Sequence, residues 1–284
     1  GDGDTAGLVG HLDSSTLTGS WATGNVVGGA DGGDDIGGLV GQIDDNESGP
    51  DPAVSDSYAT GNVTATADPG ANFVGGLVGD IGPAVVTNSW ASGIVQAAGV
   101  KVGGLGGALG SGGSVSGSYA TGAVTSTGDD GSDNTFAGGL IGFVDSGSIT
   151  NSWASGAVNG AEDDNGGLVG ALETAGSITG SYARGSVTGG DDYTGGLVGD
   201  FDGDAISTSW ASGSVNGNDN QVGGLVGRIS SGAISVSFST SAVRSSGGDY
   251  VGGLVGQAST GTAISDAYAI GSVSSAGQYV GGLV

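Results

Sequence analysis

The chain has 284 residues, 67 of them Gly, and carries a formal net charge of −25 from 29 acids against four Lys and Arg, with one His and no Cys. This balance argues against nucleic acid and anionic membrane surfaces, both of which need Lys and Arg against phosphate, and the lack of Cys excludes disulfides, thiolate metal sites and Cys nucleophiles. Four Pro without a three-residue glycine period exclude collagen, and no apolar run approaches the ~18 residues of a membrane-spanning helix. So acidic a chain repels itself unless salt or cations screen it. A high-salt habitat is the simplest source of such a composition, and bound calcium is the second.

The opening "GDGDTAG" has neither Met nor a signal peptide and reads as a mature or excised segment. The first unit then sets a pattern. Leu8 lies in a Gly-Leu-Val-Gly element, Leu17 is followed four residues later by Trp21, and "ATG" with Gly24 leads to Val26. Ten such anchors recur at intervals of 28 to 38 residues, from Leu8 through Leu77, Leu168 and Leu254 to Leu283. One aromatic stands in each complete unit: Trp21, Tyr58, Trp90, Tyr119, Trp153, Tyr182, Trp210, Phe238 and Tyr268. A fixed period of this size is the signature of a solenoid, and Val, Ile, Thr, Tyr and Trp between glycines predict short strands.

The offsets within a unit give the predicted faces. A spacing of four places the aliphatic, such as Ile178, and the aromatic, such as Tyr182, on one inward face, where rings of successive turns stack in the core rather than forming a carbohydrate platform. A spacing of five from the aromatic to the next valine crosses parity. The glycine between them, such as Gly61 or Gly156, is predicted to turn the corner with positive φ. Leu168 and Leu172 share the inward face with Gly170 giving room between them, while Val169 points out, so the anchor valines are predicted to form an apolar outer stripe. The alternation of Trp and Tyr, which lapses at Phe238, reads as a duplicated two-unit block or as alternating turn environments.

Further along, "DDNESGPDPAV" at 44–54 reads as a surface loop, and longer inserts fall at 64–74 and 125–137. Departures at Ala6, Gly106 and 237–243 predict locally irregular turns. Asn46 and Asn62 head glycosylation sequons.

The Gly-Leu-Val-Gly anchors followed by "SYATG-V" resemble the GLUG repeat, and the resemblance spans the whole chain. It implies a large secreted or surface-attached microbial protein, adhesin-like or an accessory region beside a peptidase, and it supplies no catalytic residue.

Among candidate sites, "GDFDGDA" at 199–205 sets Asp200, Asp202 and Asp204 at alternate positions around a glycine, a spacing that a hard cation such as Ca2+ favours, against the reading of solvated acidic loops. Asp2 with Asp4, Asp34 with Asp35, and Asp129, Asp130 and Asp133 are looser versions. His11, with Asp13 and Ser14 near it in sequence, lacks the geometry of a catalytic triad. Lys101, Arg184, Arg228 and Arg244 never cluster.

Together these features predict an all-β, parallel β-solenoid of nine 28–38-residue repeats forming one region over 1–284. The expected function is a non-catalytic structural or adhesive segment of an extracellular or cell-surface protein or filament, halophilic, self-associating end to end or laterally or meeting a host or cell-surface ligand. A calcium-dependent ligand- or carbohydrate-binding module is the alternative, and an accessory region of a secreted peptidase or glycan-active enzyme is the third reading.

Overall fold

The computed structural model describes residues 3–28, 35–45, 51–65, 72–98, 100–110, 112–128 and 135–284. The first turn contains five strands: β1 (Thr5–Ala6), β2 (Val9–Asp13), β3 (Thr16–Thr18), β4 (Trp21–Ala22) and β5 (Val26–Val27). Every later turn repeats them. Like pairs with like, always in parallel, so the described strands form a ten-stranded β1 sheet and four nine-stranded sheets. The result is a parallel β-solenoid of nine turns, roughly 43 Å long at about 4.8 Å per turn.

Register never slips. Val86 pairs with Val54 and Val115, and Trp90 with Tyr58 and Tyr119, although the turns differ in length. The departures noted in the sequence are absorbed in the same way. Gly106 still pairs with Val78 and Ile141, and Ile81 fills the space its missing side chain leaves. Phe238–Ser239 stays in the β4 sheet. Of the 44–54 segment, Val40–Asp44 and Ala53–Ser55 bound it as strands.

Two cores run along the axis. The larger lies inside the β2, β3 and β4 sheets and takes Leu168, Val169, Leu172, Ile178 and Ala183 from one turn, all fully buried. The smaller lies between the β1 and β5 sheets, where Val74 and Val102 meet Val63, Val95 and Val124; Asn165 and Thr194 break it in the β1 column, and Val222 and Val251 meet Val215 and Val243 beyond them. Burial of the larger aliphatic chains is worth about 1.5–3 kcal/mol each.

Two predicted faces and two predicted glycine roles are corrected. The anchor valines are not an outer stripe: Val40, Val78, Val169, Val198, Val226 and Val255 are all buried. The chain bends at Gly167–Leu168, and the N–H groups of Leu168 and Val169 both donate to the carbonyl of Leu197, so leucine and valine both turn inward. Gly170 lies against the backbone of Gly142 and Asp164 rather than making room for a bulky neighbour.

The aromatics are also displaced from the predicted core. The aliphatic lies on β3 and the ring on β4, and the residue two before each ring has a left-handed backbone with φ between 48° and 62° in all nine turns (Gly19, Asp56, Asn88, Gly117, Asn151, Gly180, Thr208, Val236 and Asp266). This single residue reverses strand parity, so the ring faces outward and the following small residue, alanine in eight turns and Ser239 in the other, faces the core.

The corner glycines after the ring serve packing, not positive φ, which among them only Gly213 adopts. A methyl group at Gly156 would overlap the carbonyl oxygen of Gly122 in the turn beside it, and Gly61, Gly93, Gly122 and Gly185 stand in the same relation to their neighbours.

Candidate functional surfaces

Two outward surfaces carry the chemistry of the chain. The first is uniform. Nine aromatic rings stack along the β4 sheet with planes within 9° of one another and centroids 4.5 to 6.0 Å apart. Close steps join Tyr58 to Trp90, Tyr119 to Trp153 and Tyr182 to Trp210 at 4.5 Å, with wider steps between these pairs, so the rings record the two-turn period of the sequence. Stacking covers both faces of every interior ring and leaves only edges to solvent. A sugar ring has no open face to lie on except at the two ends, Trp21 and Tyr268.

Beneath the rings runs a second ladder that sequence reasoning missed. The backbone N–H of Ser118 donates to Oγ of Ser152 at 3.2 Å, that of Ser152 to Ser181 at 3.1 Å, and the series extends from Ser20 to Ser237. Each hydroxyl donates in turn to the carbonyl two residues earlier, as Ser152 does to Thr150 at 2.9 Å. These serines satisfy the backbone where the chain leaves the β3 ladder, as buried polar groups require. Their signal was the invariant Ser before each ring, which lapses at Ala267.

The second surface varies from turn to turn. It consists of the residue four before each anchor leucine and the residue three after it, which flank the β1–β2 bend. The first column reads Asp4, Asp35, Phe73, Lys101, Phe136, Asp164, Tyr193, Gln221, Tyr250 and Tyr279, and the second His11, Gln42, Asp80, Ala108, Phe143, Ala171, Asp200, Arg228 and Gln257. Of the seven aromatics outside the ladder, six stand here, and Phe201 is in the core. The signal for this surface is a fixed offset from the anchor, masked by the unlikeness of the residues that occupy it.

Its contacts are local. Nδ1 of His11 lies 3.0 Å from Asp4, and Nε2 lies 3.6 Å from Asp44. The Lys101 ammonium lies 4.7 and 4.2 Å from the Phe73 and Phe143 ring centres; burial lowers its pKa, while Asp80 and other nearby carboxylates pull the other way. Arg228 makes a two-pronged pair with Asp200, Nε to Oδ1 at 2.8 Å, donates to the Tyr193 hydroxyl at 2.7 Å and lies over that ring. The Asp200 bond raises the Arg228 pKa further, so its charge is permanent. Asp164 is buried with Oδ1 unpartnered, and desolvation followed by the nearby Asp200 charge pushes its carboxyl well above the usual range.

The residues proposed for calcium separate in this geometry. Asp200 points onto Arg228, whereas Asp202 and Asp204 are exposed on the turn after β2. Among the described residues, no three His, Asp or Glu side chains gather as a metal group. Asp2, Asp34, Asp129, Asp130, Asp133 and the sequon Asn46 lie outside the described residues. Asn62 is described: its Oδ1 accepts from the N–H of Ile94 at 2.9 Å, and its own N–H donates to Asn25.

Residues 247–274 match the GLUG motif. The chain carries this motif. The matched stretch is one turn of the solenoid, with Leu254 at its anchor, Ile264 on β3 and Tyr268 on β4, and the strand register carries the same positions through the other GLUG turns. Halomucin from Haloquadratum walsbyi is 39% identical over 147 residues, half of this chain, and the chain covers about 2% of that protein's length. No solved structure matches. The GLUG motif, this relative and the β-solenoid fold fit a structural repeat region.

Proposed function

We propose that the chain is a non-catalytic, adhesive shaft segment of a secreted or cell-surface protein that works in concentrated salt. The observation that carries this reading is the unbroken register of five parallel sheets over nine turns. Such a body sets a length and a surface, and each added turn lengthens it by about 4.8 Å. The charge of −25 suits molar salt, which screens the repulsion while the acidic loops stay hydrated. The likeness to a stretch of halomucin, of which so small a part is covered, fits a repeated segment within a much longer chain. The pairing that joins each turn to the next admits a further turn of the same kind.

The test is small-angle scattering together with a thermal melt from dilute to molar KCl. The expected particle is a rod about 43 Å long that shortens by about 4.8 Å when residues 168–196, one turn, are deleted. Its melting point rises with KCl and gains nothing more from millimolar calcium. A globular particle, or a calcium gain at low salt that EDTA reverses, overturns the shaft reading, the latter in favour of a calcium-dependent binding module.

A further inference from the structure

The acids of the chain are unevenly placed. From the start of β3 to the end of β4 each turn contributes seven residues, such as 148–154 and 177–183, and these nine stretches hold two of the 29 acids, Asp56 and Asp266, and no Lys or Arg. The last β3 residue is Ser or Thr in every turn, half-buried or exposed, and the outward β4 residue is the ladder ring. The acids stand instead around β1 and β2: Asp44 at the end of its β2 strand, Asp145 and Asp202 after theirs, and Asp163, Asp191 and Asp219 ahead of β1, with the acid-free β5 sheet between these last and the rings. A strip of hydroxyls and ring edges free of carboxylates but for Asp56 and Asp266 therefore runs the length of the shaft, with one cation against it, the Arg184 guanidinium 4.8 Å from the Tyr182 ring centre and 5.2 Å from that of Trp210.

We propose that this strip is a lateral self-association surface, on which two copies of the chain pack strip to strip as facing sheets. The proposal rests on the shaft reading and names its partner. Charge favours this side of the shaft, because the β3, β4 and β5 strands hold none of the acids, whereas two bodies of −25 brought together on the β1 and β2 side set carboxylates against carboxylates. Period selects the partner: only a surface with the same rise repeats one contact at all nine turns, and a second copy has that rise by construction. Area suffices as well. A strip about 20 Å wide and about 43 Å long offers on the order of 800 Å² per partner, the amount a specific interface buries on each side. Lateral packing thus belongs to the hydroxyl and ring strip and not to the valines, which are buried.

Sedimentation velocity and scattering of the full chain over a range of protein concentrations in molar KCl test this. The expected result is a concentration-dependent dimer with a doubled cross-section and unchanged length. Ser116→Asp with Thr179→Asp places two charges on the strip and is expected to weaken the dimer about tenfold or more. Gln42→Glu with Gln257→Glu adds the same charge to the varied surface and leaves the dimer unchanged. Circular dichroism confirms that both variants fold, and retained β-sheet spectra with unaltered melts make the comparison valid. A rod that stays monomeric at the highest concentration overturns the proposal. So does a dimer of doubled length, which is end-to-end, or equal weakening by both variants. A monomeric rod that a polysaccharide column retains, and releases when the strip variant is used, assigns the strip to glycan and overturns self-association. Loss of the rod shape itself sinks the shaft reading, and the same scattering curve shows which has failed.

Discussion

The hydroxyl and ring strip and the varied surface are both outward-facing and are built from strands of the same turns, yet one is nearly identical in every turn and the other in none. Burial does not explain the difference, since Phe136, Asp164 and Asp200 on the varied surface are more buried than any ladder ring. Coupling between turns does. Each ring, each ladder serine and each corner glycine meets its own copy in the next turn, so a change at one turn disturbs two neighbours. The varied surface makes pairs that close within a turn or two, such as Arg228 with Asp200 and Tyr193, and a change there stays local. Repetition in this sequence reports contact between equivalent residues rather than depth in the core.

Five substitutions test that contrast. Gly156→Ala is expected to cost about 3 kcal/mol in urea unfolding, because the added methyl meets the fixed backbone of the neighbouring turn. Ser152→Ala leaves the buried N–H of Ser118 without an acceptor and should cost about 2 kcal/mol in the same assay. Val236→Asn runs the other way. A β-branched residue there holds a left-handed φ of 49°, and its replacement should stabilise by about 1 kcal/mol. If the melt of Val236→Asn does not rise, the left-handed column is not the constraint described.

Asp164→Asn probes the varied surface through pH. The folded state binds this proton more tightly than the unfolded chain, since burial raises the carboxyl pKa. Stability is therefore lost as pH climbs from the ordinary carboxylate range toward the raised folded value. The Asn variant should melt higher than the parent at neutral pH and match it in acid, where both states are protonated. A gap that persists unchanged into acid removes Asp164 as its source. The smallest effect is at Gln257→Ala, expected within about 0.5 kcal/mol of the parent by thermal melt.

The period, the all-β class and the inward leucine, aliphatic and β5 valine columns were legible because they sit at constant offsets from one anchor. The direction of the rings was not. Alternation along a strand holds only while the backbone stays extended, and the left-handed residue that breaks it is Gly in just three turns, Gly19, Gly117 and Gly180. Elsewhere Asp, Asn, Thr and Val disguise it. The anchor valines misled for a related reason, as a bend between Gly167 and Val169 turns two successive side chains the same way. The candidate surfaces divide likewise: the ring column stood in plain view with its side wrongly assigned, whereas the varied surface has no shared residue type by which to find it.

Every strand bonds only to its counterparts one turn before and one turn after, as Val187 does with Val158 and Val215. No part of the coil waits for a distant piece of chain. A growing or emerging polypeptide can wind each loop onto the last as soon as about thirty more residues are free, with the finished edge as the template. Winding of this kind has a direction and can draw the trailing chain forward, like a rope taken up on a drum.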